Sequence, residues 1–379
     1  MDPPSVDRRV FLSTLGRCAG GACLACHLGA FPAEAWSKPQ HALSREIDFY
    51  DHLDDDRVQC RVCPLHCTLS DGETCFCRTR TNRGGRLLTK AYSNPCLLRI
   101  DPIEKLPLNH FRPGTRALTM GIGGCNLRCL YCQNWQQSQK MPDQLKTFEL
   151  TPEQAVSAAK RKGVDTIAFG YTEPVAFLEY VKDTAVLAHK AGLHVAVATA
   201  AFVEPEPLLD LAHHVDAFAI GLKGFDDEFY YRALGVKLKP VLKAIRTVKK
   251  KTKCWLELIN LVVPTYNDAP KPIGEMCRWI RHNLGGNVPL HFARFVPMYR
   301  LNNLPRTPVQ TLDAACAIAR NAGLRFVYTS NIAPHSGTNT YCPNCHKPLI
   351  QRLGFKIIEN TLKHGVCPSC HKTVPGVWS

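Results

Sequence analysis

From Arg116 onward the chain alternates between short apolar runs and longer amphipathic stretches. Apolar runs at 117–122, 164–170, 193–199, 215–222, 254–263, 289–295 and 324–329 predict strands, and the stretches between them predict helices. One helix carries its signals openly: Thr151 as N-cap, Pro152 at the first helical position, Gln154 closing a capping box and Gly163 ending the element. Strict alternation of strand and helix calls for parallel pairing with right-handed crossovers. The six or seven units over 116–335 therefore predict an α/β fold, a partial or closed (β/α) barrel. Chemistry in such a barrel sits at the carboxyl ends of the strands, so the strand ends become site candidates. In the run 289–295, His291, Ala293 and Phe295 share one face while Phe292 and Arg294 take the other, and only one face looks inward.

Outside 116–335 the alternation is absent. Residues 1–35 hold Arg8 and Arg9, a weakly apolar glycine-containing run to Ala30, and Ala33-Glu34-Ala35. This is the form of a twin-arginine export signal with a small-residue cleavage site, to be excluded from fold reasoning. The other reading is a frayed N-terminus. Residues 36–115 form a cysteine-rich lobe: a polar, acidic linker over 36–57, then the cysteines, then a proline-rich covering segment, Asp101 to Gly114, that leads into the first barrel strand. Residues 336–379 are a tail with two further cysteine pairs.

Charge changes this picture little. The formal net charge of +15 is spread through amphipathic stretches such as 237–253, which reads as a solvated basic surface. Aromatic and basic residues do not interleave as a nucleic-acid-binding surface requires.

Cysteine changes it a great deal. There are nineteen, and most fall in local groups with C-x2-C or similar spacing, which in a chain of 379 residues means metal more readily than a disulfide framework. Cys125, Cys129 and Cys132 form a C-x3-C-x2-C loop directly after the first apolar run. An electron-carrying 4Fe-4S cluster takes four thiolates, so three leave one iron with an open coordination position. A zinc knuckle is the alternative for the same residues. In the lobe, Cys60, Cys63, Cys67 and Cys77 supply four ligands with Cys75 as a spare, for zinc or an accessory iron-sulfur cluster, with disulfides as the other reading. In the tail, Cys342, Cys345, Cys367 and Cys370 form two C-x2-C pairs with twenty-one residues between them, the spacing of a zinc ribbon. His346 and His371 follow those pairs, so each also reads C-x2-C-H, a haem-attachment pattern; the two readings exclude one another because they use the same thiols, and the paired knuckles favour zinc. Cys23 to His27 carries the same pattern inside the export signal.

The loop from Cys125 to Cys132, with the aromatic Tyr131 just before the third cysteine, resembles that of the radical S-adenosylmethionine (radical SAM) enzymes. The resemblance implies that the open iron chelates the amino and carboxylate groups of S-adenosylmethionine, and that one electron cleaves it to methionine and a 5′-deoxyadenosyl radical. It further implies roles for Thr172 and Glu173, after the second strand, in holding the S-adenosylmethionine ammonium, which a carboxylate can accept as a hydrogen-bond donor. Glu173 also reads as a helix-start charge. Lys223, in Gly221-Leu222-Lys223-Gly224-Phe225, resembles the lysine of the Asp-Leu-Lys segment of activating-enzyme relatives and is a candidate for the S-adenosylmethionine carboxylate, with glycine here replacing the aspartate. Asn267, in the turn Val263 to Asp268, is a candidate for the nucleoside. His291 is a candidate donor to S-adenosylmethionine or substrate, or else a satisfied core histidine.

With Asp101 to Lys105, Gln133 to Trp135, Tyr171 to Pro174, Leu222 to Phe225, His291 to Phe295 and Tyr341 to Cys345, the resemblance extends to the AmmeMemoRadiSam-system radical SAM proteins, relatives of pyruvate formate-lyase activating enzymes. It implies an oxidoreductase that abstracts hydrogen from an unidentified substrate such as a partner protein. It also implies a low-potential electron donor and companion proteins of Memo and AMMECR type. Two other classes stand beside this reading: a non-catalytic iron-sulfur electron carrier, and a zinc-containing nucleic-acid-binding protein. Location divides the signals. The twin arginine points to a periplasmic or membrane-associated enzyme, and S-adenosylmethionine chemistry to the cytoplasm; the export signal is the stronger of the two.

Overall fold

A computed structural model describes residues 45–378. The export-signal reading, with Arg8, Arg9 and Ala33 to Ala35, and the first part of the linker lie outside the described residues. Among the described residues no helix is long and apolar enough to cross a membrane.

The predicted strands form one eight-stranded sheet. Its parallel members are β8 (Arg116–Gly121), β9 (Thr166–Phe169), β10 (His194–Thr199), β11 (Ala217–Gly221), β12 (Trp255–Val262), β13 (Leu290–Arg294) and β14 (Val327–Ser330). Neighbours in sequence are neighbours in space, and every pair from β8 to β14 is parallel. Six longer helices make the crossovers: Pro152–Arg161, Leu178–Lys190, Pro205–Ala212, Leu238–Lys251, Pro270–Leu284 and Val309–Asn321. All four residues of β9 are buried, as expected of a parallel strand covered on both faces. The capping box is formed: the Gln154 amide N–H donates to Thr151 Oγ1 at 3.3 Å and the Thr151 N–H donates to Gln154 Oε1 at 2.8 Å.

Of the two barrel forms the sequence allows, the open one is found, because β14 ends the sheet on one side and β7 (Leu97–Pro102) on the other. β7 pairs antiparallel with β8, so part of what the sequence presents as a covering segment is an edge strand. Its continuation does more than cover. Ile103, Leu106, Leu108 and Phe111 enter the lower half of the barrel and pack on Ala117, Ala168, Ala196, Ala217 and Ala219. Small side chains on the inner face leave the volume that these larger ones fill.

The plug is fastened by one buried carboxylate. Glu257 on β12 accepts from the backbone N–H groups of Asn109 (3.0 Å) and His110 (2.7 Å), from Trp255 Nε1 (2.9 Å) and from the His291 ring (2.7 Å). Burial works against its charge, yet the His291 ring and the other donors hold the carboxyl below its usual range.

The tail is not a separate appendage. β15 (Thr340–Tyr341), β16 (Pro348–Leu353) and β17 (Lys356–Asn360) form a small antiparallel sheet. Its core, with Cys342, Leu349, Ile350, Cys367 and Val374, is continuous with Phe326 and Tyr328 at the floor of the barrel. The Val377 N–H donates to the His110 carbonyl at 2.7 Å, and the Arg112 N–H to the Val377 carbonyl at 2.6 Å. The boundary expected at 336 therefore cuts through a shared core.

The lobe consists of two three-stranded sheets: β1 (Arg45–Glu46) with β6 (Arg86–Thr89) and β5 (Arg80–Arg83), and β2 (Tyr50–His52) with β3 (Val58–Cys60) and β4 (Thr68–Leu69). It is joined to the barrel rim through Thr79 Oγ1, which donates to the Ala176 carbonyl at 2.7 Å, and through the Glu204 N–H, which donates to the Val62 carbonyl at 3.0 Å.

Candidate functional site

The mouth of the barrel is built where β8 and β9 end. A Cβ on Gly121 would lie 2.7 Å from the Gly170 carbonyl and 3.3 Å from Thr172 Oγ1, so only glycine lets the chain leave β8 along this course. The loop that follows is pinned on several sides. The Cys125 N–H donates to the Cys77 carbonyl at 3.0 Å, while those of Arg128 and Leu130 donate to Leu234 and Ala233, each at 2.9 Å. Leu127 is buried, and its N–H points at Cys125 Sγ at 3.4 Å. Cys132 Sγ lies 3.3 Å from Ser138 Oγ on the one-turn helix Trp135–Ser138.

Three half-buried thiols are thereby held together, and for Cys125 and Cys129 the surroundings resist ionisation. Burial pushes Cys125 well up, with the Glu173 charge and the neighbouring thiols adding to it. Cys129 is pushed up to about 11 by burial, while Lys223 pulls the other way. Three thiolates here require positive charge, and a metal centre supplies it.

Glu173 faces them. It is 3% exposed, at the start of the turn Pro174–Phe177. Its Oε1 accepts from Thr199 Oγ1 at 2.5 Å and from the Val175 N–H at 3.2 Å; its Oε2 accepts from the Ala200 N–H at 2.9 Å. A carboxylate offers roughly four acceptor sites, two on each oxygen, so Oε2 keeps one for a further donor. Burial raises the carboxyl above its usual range, against these donors and Lys223. Two buried hydroxyls at the mouth, Tyr131 Oη near the thiols of Cys129 and Cys132 and Thr172 Oγ1 next to Glu173 in the chain, have no hydrogen-bond partner. Unpaired buried polar groups cost about 1–3 kcal/mol each, and a polar ligand at the mouth relieves that cost. Donor set, free acceptor site and orphaned hydroxyls together fit a metal cluster carrying an amino-acid ligand.

Lys223 stands on the same rim, past the end of β11. Its N–H donates to Tyr230 Oη at 3.1 Å, and its Nζ lies 3.3 Å from where a Cβ on Gly221 would stand. A side chain at 221 would therefore meet the mobile end of this folded-back lysine first.

Two expected ligands are used elsewhere. Asn267 is spent on the backbone: Nδ2 donates to the carbonyls of Lys223 (2.6 Å) and Leu261 (2.8 Å), and Oδ1 accepts from the Val263 N–H at 2.6 Å. It ties the end of β12 to Lys223 and so positions the lysine, with its amide groups already engaged. His291 lies near the floor, bonded to Glu257 and stacked on Tyr328 at 5.0 Å between ring centroids. That is a core histidine, satisfied at Nε2 while its buried Nδ1 has no partner, on a strand that brings position 291 to the lower end of the barrel.

The sequence reading also missed residues. Asn126 is buried and donates from Nδ2 to the Phe202 carbonyl at 2.7 Å, anchoring the cysteine loop across the mouth. Asn134 Nδ2 donates to the Tyr171 carbonyl at 2.7 Å. Thr199 and Ala200, which hold Glu173, carried no motif; their only signal was their place at the end of a strand.

The other cysteines fall into two different arrangements. In the tail, all four sulfurs lie within 4.8 Å of one another, with Cys342 to Cys370 at 3.5 Å and Cys345 to Cys367 at 3.7 Å. The two knuckles repeat the same bonds: the His346 N–H to the Cys342 carbonyl and the His371 N–H to the Cys367 carbonyl, both at 3.0 Å. Both histidines have left-handed backbones, φ 58° and 57°. They serve as turn residues, and the four thiols fit one tetrahedral ion. In the lobe, Cys75 is no spare: it lines the same cavity as Cys60, Cys63, Cys67 and Cys77.

Residues 120–278 match the family model of the radical SAM superfamily. An uncharacterized protein of Methanocaldococcus jannaschii is 43% identical over 332 residues, covering 87% of this chain and 98% of that one. Pyruvate formate-lyase 1-activating enzyme of Escherichia coli (strain K12) is 28% identical over 176 residues, 44% of this chain and 70% of that enzyme. The crystal structure of a radical SAM methyltransferase from Sphaerobacter thermophilus aligns with 60% of this chain and 71% of its own, at 16% identity and a TM-score of 0.44.

Proposed function

Because this chain carries a radical SAM domain and belongs to one family with its archaeal relative, we propose that it is an activating-enzyme-like radical SAM enzyme. It cleaves S-adenosylmethionine at a 4Fe-4S cluster held by Cys125, Cys129 and Cys132, and takes a hydrogen atom from a substrate presented at the barrel mouth. When bound, the cluster and S-adenosylmethionine supply one-electron cleavage of the sulfonium and hydrogen abstraction; the chain supplies position and charge. Supporting this most directly is the set of three thiols near a buried carboxylate with one open acceptor site, with the orphaned hydroxyls of Tyr131 and Thr172 in the same loop and turn. Glu173 accepts from the ligand's ammonium through Oε2. Lys223, placed by Asn267, offsets the thiolate and carboxylate charge and meets the ligand's carboxylate. Tyr131 and Thr172 donate their free hydroxyl protons. An electron carrier with no ligand to bind would leave those hydroxyls unexplained.

The tail quartet holds structural zinc in this reading. A low-potential donor supplies the electron, and Memo-type and AMMECR-type proteins are the companions that the resemblance offers. Export by the twin-arginine route completes the proposal for the full chain. The central test is anaerobic: reduced, reconstituted protein with S-adenosylmethionine yields methionine and 5′-deoxyadenosine, and its electron-spin signal changes when S-adenosylmethionine is added. The triple variant Cys125→Ala, Cys129→Ala, Cys132→Ala loses both. Cleavage that survives in the triple variant overturns the assignment.

A further inference from the structure

Five thiols, Cys60, Cys63, Cys67, Cys75 and Cys77, line one cavity in the lobe together with the buried guanidinium of Arg80. A single tetrahedral ion with metal–sulfur bonds of about 2.3 Å draws its sulfurs to roughly 3.8 Å of each other. The tail quartet meets that spacing. Among the described residues it is the one group of three or more such ligands gathered within 4.8 Å, whereas the five lobe thiols are spread around their cavity without forming such a group. Wider spacing suits thiolates that bind different irons of one cluster. An odd number of thiols also cannot pair fully into disulfides, and all five are free.

The charge of the cavity accommodates the same occupant. No carboxylate lines the cavity. Arg80 Nη2 is held by Glu179 at 3.2 Å, which lies outside the cavity lining, while Nη1 approaches Cys77 Sγ at 3.9 Å and Nε is buried without a partner. A cluster held by thiolates offers an acceptor to these remaining donors.

The lobe is also wired to the cysteine loop. The Cys77 carbonyl accepts the Cys125 N–H at 3.0 Å, and Asn126, next to Cys125, lines the lobe cavity as well. One hydrogen bond therefore separates a lobe thiol's residue from a loop thiol's residue.

From this geometry we propose that the lobe cavity holds an iron-sulfur cluster on four of its five thiols and relays electrons to the cluster of the cysteine loop. A reduced protein donor of the ferredoxin or flavodoxin class gives one electron to the lobe cluster. The lobe cluster is then reoxidised as it passes that electron on, and the loop cluster is reduced by one electron with no bond made or broken. The relay step rests on the function proposed above; the presence of a lobe cluster does not.

The test uses the full chain, reconstituted anaerobically with iron and sulfide. Native protein is expected to hold about eight irons, two 4Fe-4S clusters. The triple variant Cys125→Ala, Cys129→Ala, Cys132→Ala is expected to keep about four, with absorbance bleached by dithionite. A lobe variant, Cys60→Ser with Cys67→Ser, is expected to keep the S-adenosylmethionine-responsive signal under dithionite and to lose reduction by flavodoxin. A triple variant with no iron and a second equivalent of zinc overturns the proposal, as does a native protein with about four irons by Mössbauer counting, a readout that needs no variant to fold. If S-adenosylmethionine cleavage itself fails, the iron retained in the triple variant still reports on the lobe, so the two readings fail separately.

Discussion

Gly124 and Cys77 approach so closely that a Cβ on Gly124 would stand 2.6 Å from the Cys77 carbonyl oxygen and 2.5 Å from Thr79 Cγ2. Gly124 also has φ +97°, a backbone that side chains rarely adopt. The lobe and the cysteine loop thus meet backbone to backbone. Gly124→Ala adds overpacking to strain, together about 2–4 kcal/mol. A clear fall in the thermal midpoint is expected, and an unchanged midpoint would contradict the close approach.

Glu173→Gln removes the charge that receives the ammonium and is expected to weaken S-adenosylmethionine binding by about 1.5–3 kcal/mol, roughly ten- to a hundredfold. Burial raises the Glu173 carboxyl, so its protonated form appears at higher pH than for an exposed glutamate. Native binding should therefore weaken as pH falls, beginning above the ordinary glutamate range, and the Gln variant should lack this limb. Equilibrium dialysis across pH reads both effects; parallel pH profiles would count against the assignment.

Arg80 and Glu179 form an ion pair between lobe and barrel, 3.2 Å apart with both side chains at or below 2% exposure. Arg80→Met leaves a buried carboxylate unpaired and should cost about 3–5 kcal/mol, most of it recovered in the double variant Arg80→Met, Glu179→Met. A denaturant-based double-mutant cycle measures the coupling, and additive effects would deny the pair.

His110 is buried between Pro375 and Tyr328, its ring bonded to both at 2.7 and 2.6 Å. Burial holds its pKa at about 4, against 6.5 for a free ring. The unfolded chain therefore binds the proton first, and stability is lost as pH falls through the window from 6.5 towards 4. The loss should approach about 3 kcal/mol from this ring. His110→Gln should flatten that slope in urea titrations; an unaltered slope would assign it to other groups.

Cys342→Ser with Cys367→Ser should abolish zinc binding by the tail in the full chain. Because Cys342 and Cys367 share a core with Phe326 and Tyr328, hydrogen exchange should also quicken at 326–328. Protection unchanged at those positions would separate the tail from the barrel floor.

The sequence made the barrel legible because period and length agree there: the run at 117–122 became Arg116–Gly121, and that at 254–263 became Trp255–Val262. The thiols of the loop and tail were legible because their spacing is local. β7 was not, since Arg99, Asp101 and Pro102 break any apolar pattern. Asn267 and His291 looked like ligands because strand position cannot reveal which groups are already bonded. The plug left one trace, five inward alanines, whose meaning depends on what fills the space beside them.

The floor also governs how the molecule is made. The amides of Asn109 and His110 reach Glu257 only across 148 and 147 positions of chain, and the His110 ring meets Pro375 across 265. While β12 is still untranslated, Leu106, Leu108 and Phe111 have alanine-lined strands to lean on but no carboxylate to anchor them. Long-range closure of this kind is slow. The nascent barrel therefore passes through a stage with its plug loosely seated and apolar surface accessible, the stage at which a chaperone has something to hold.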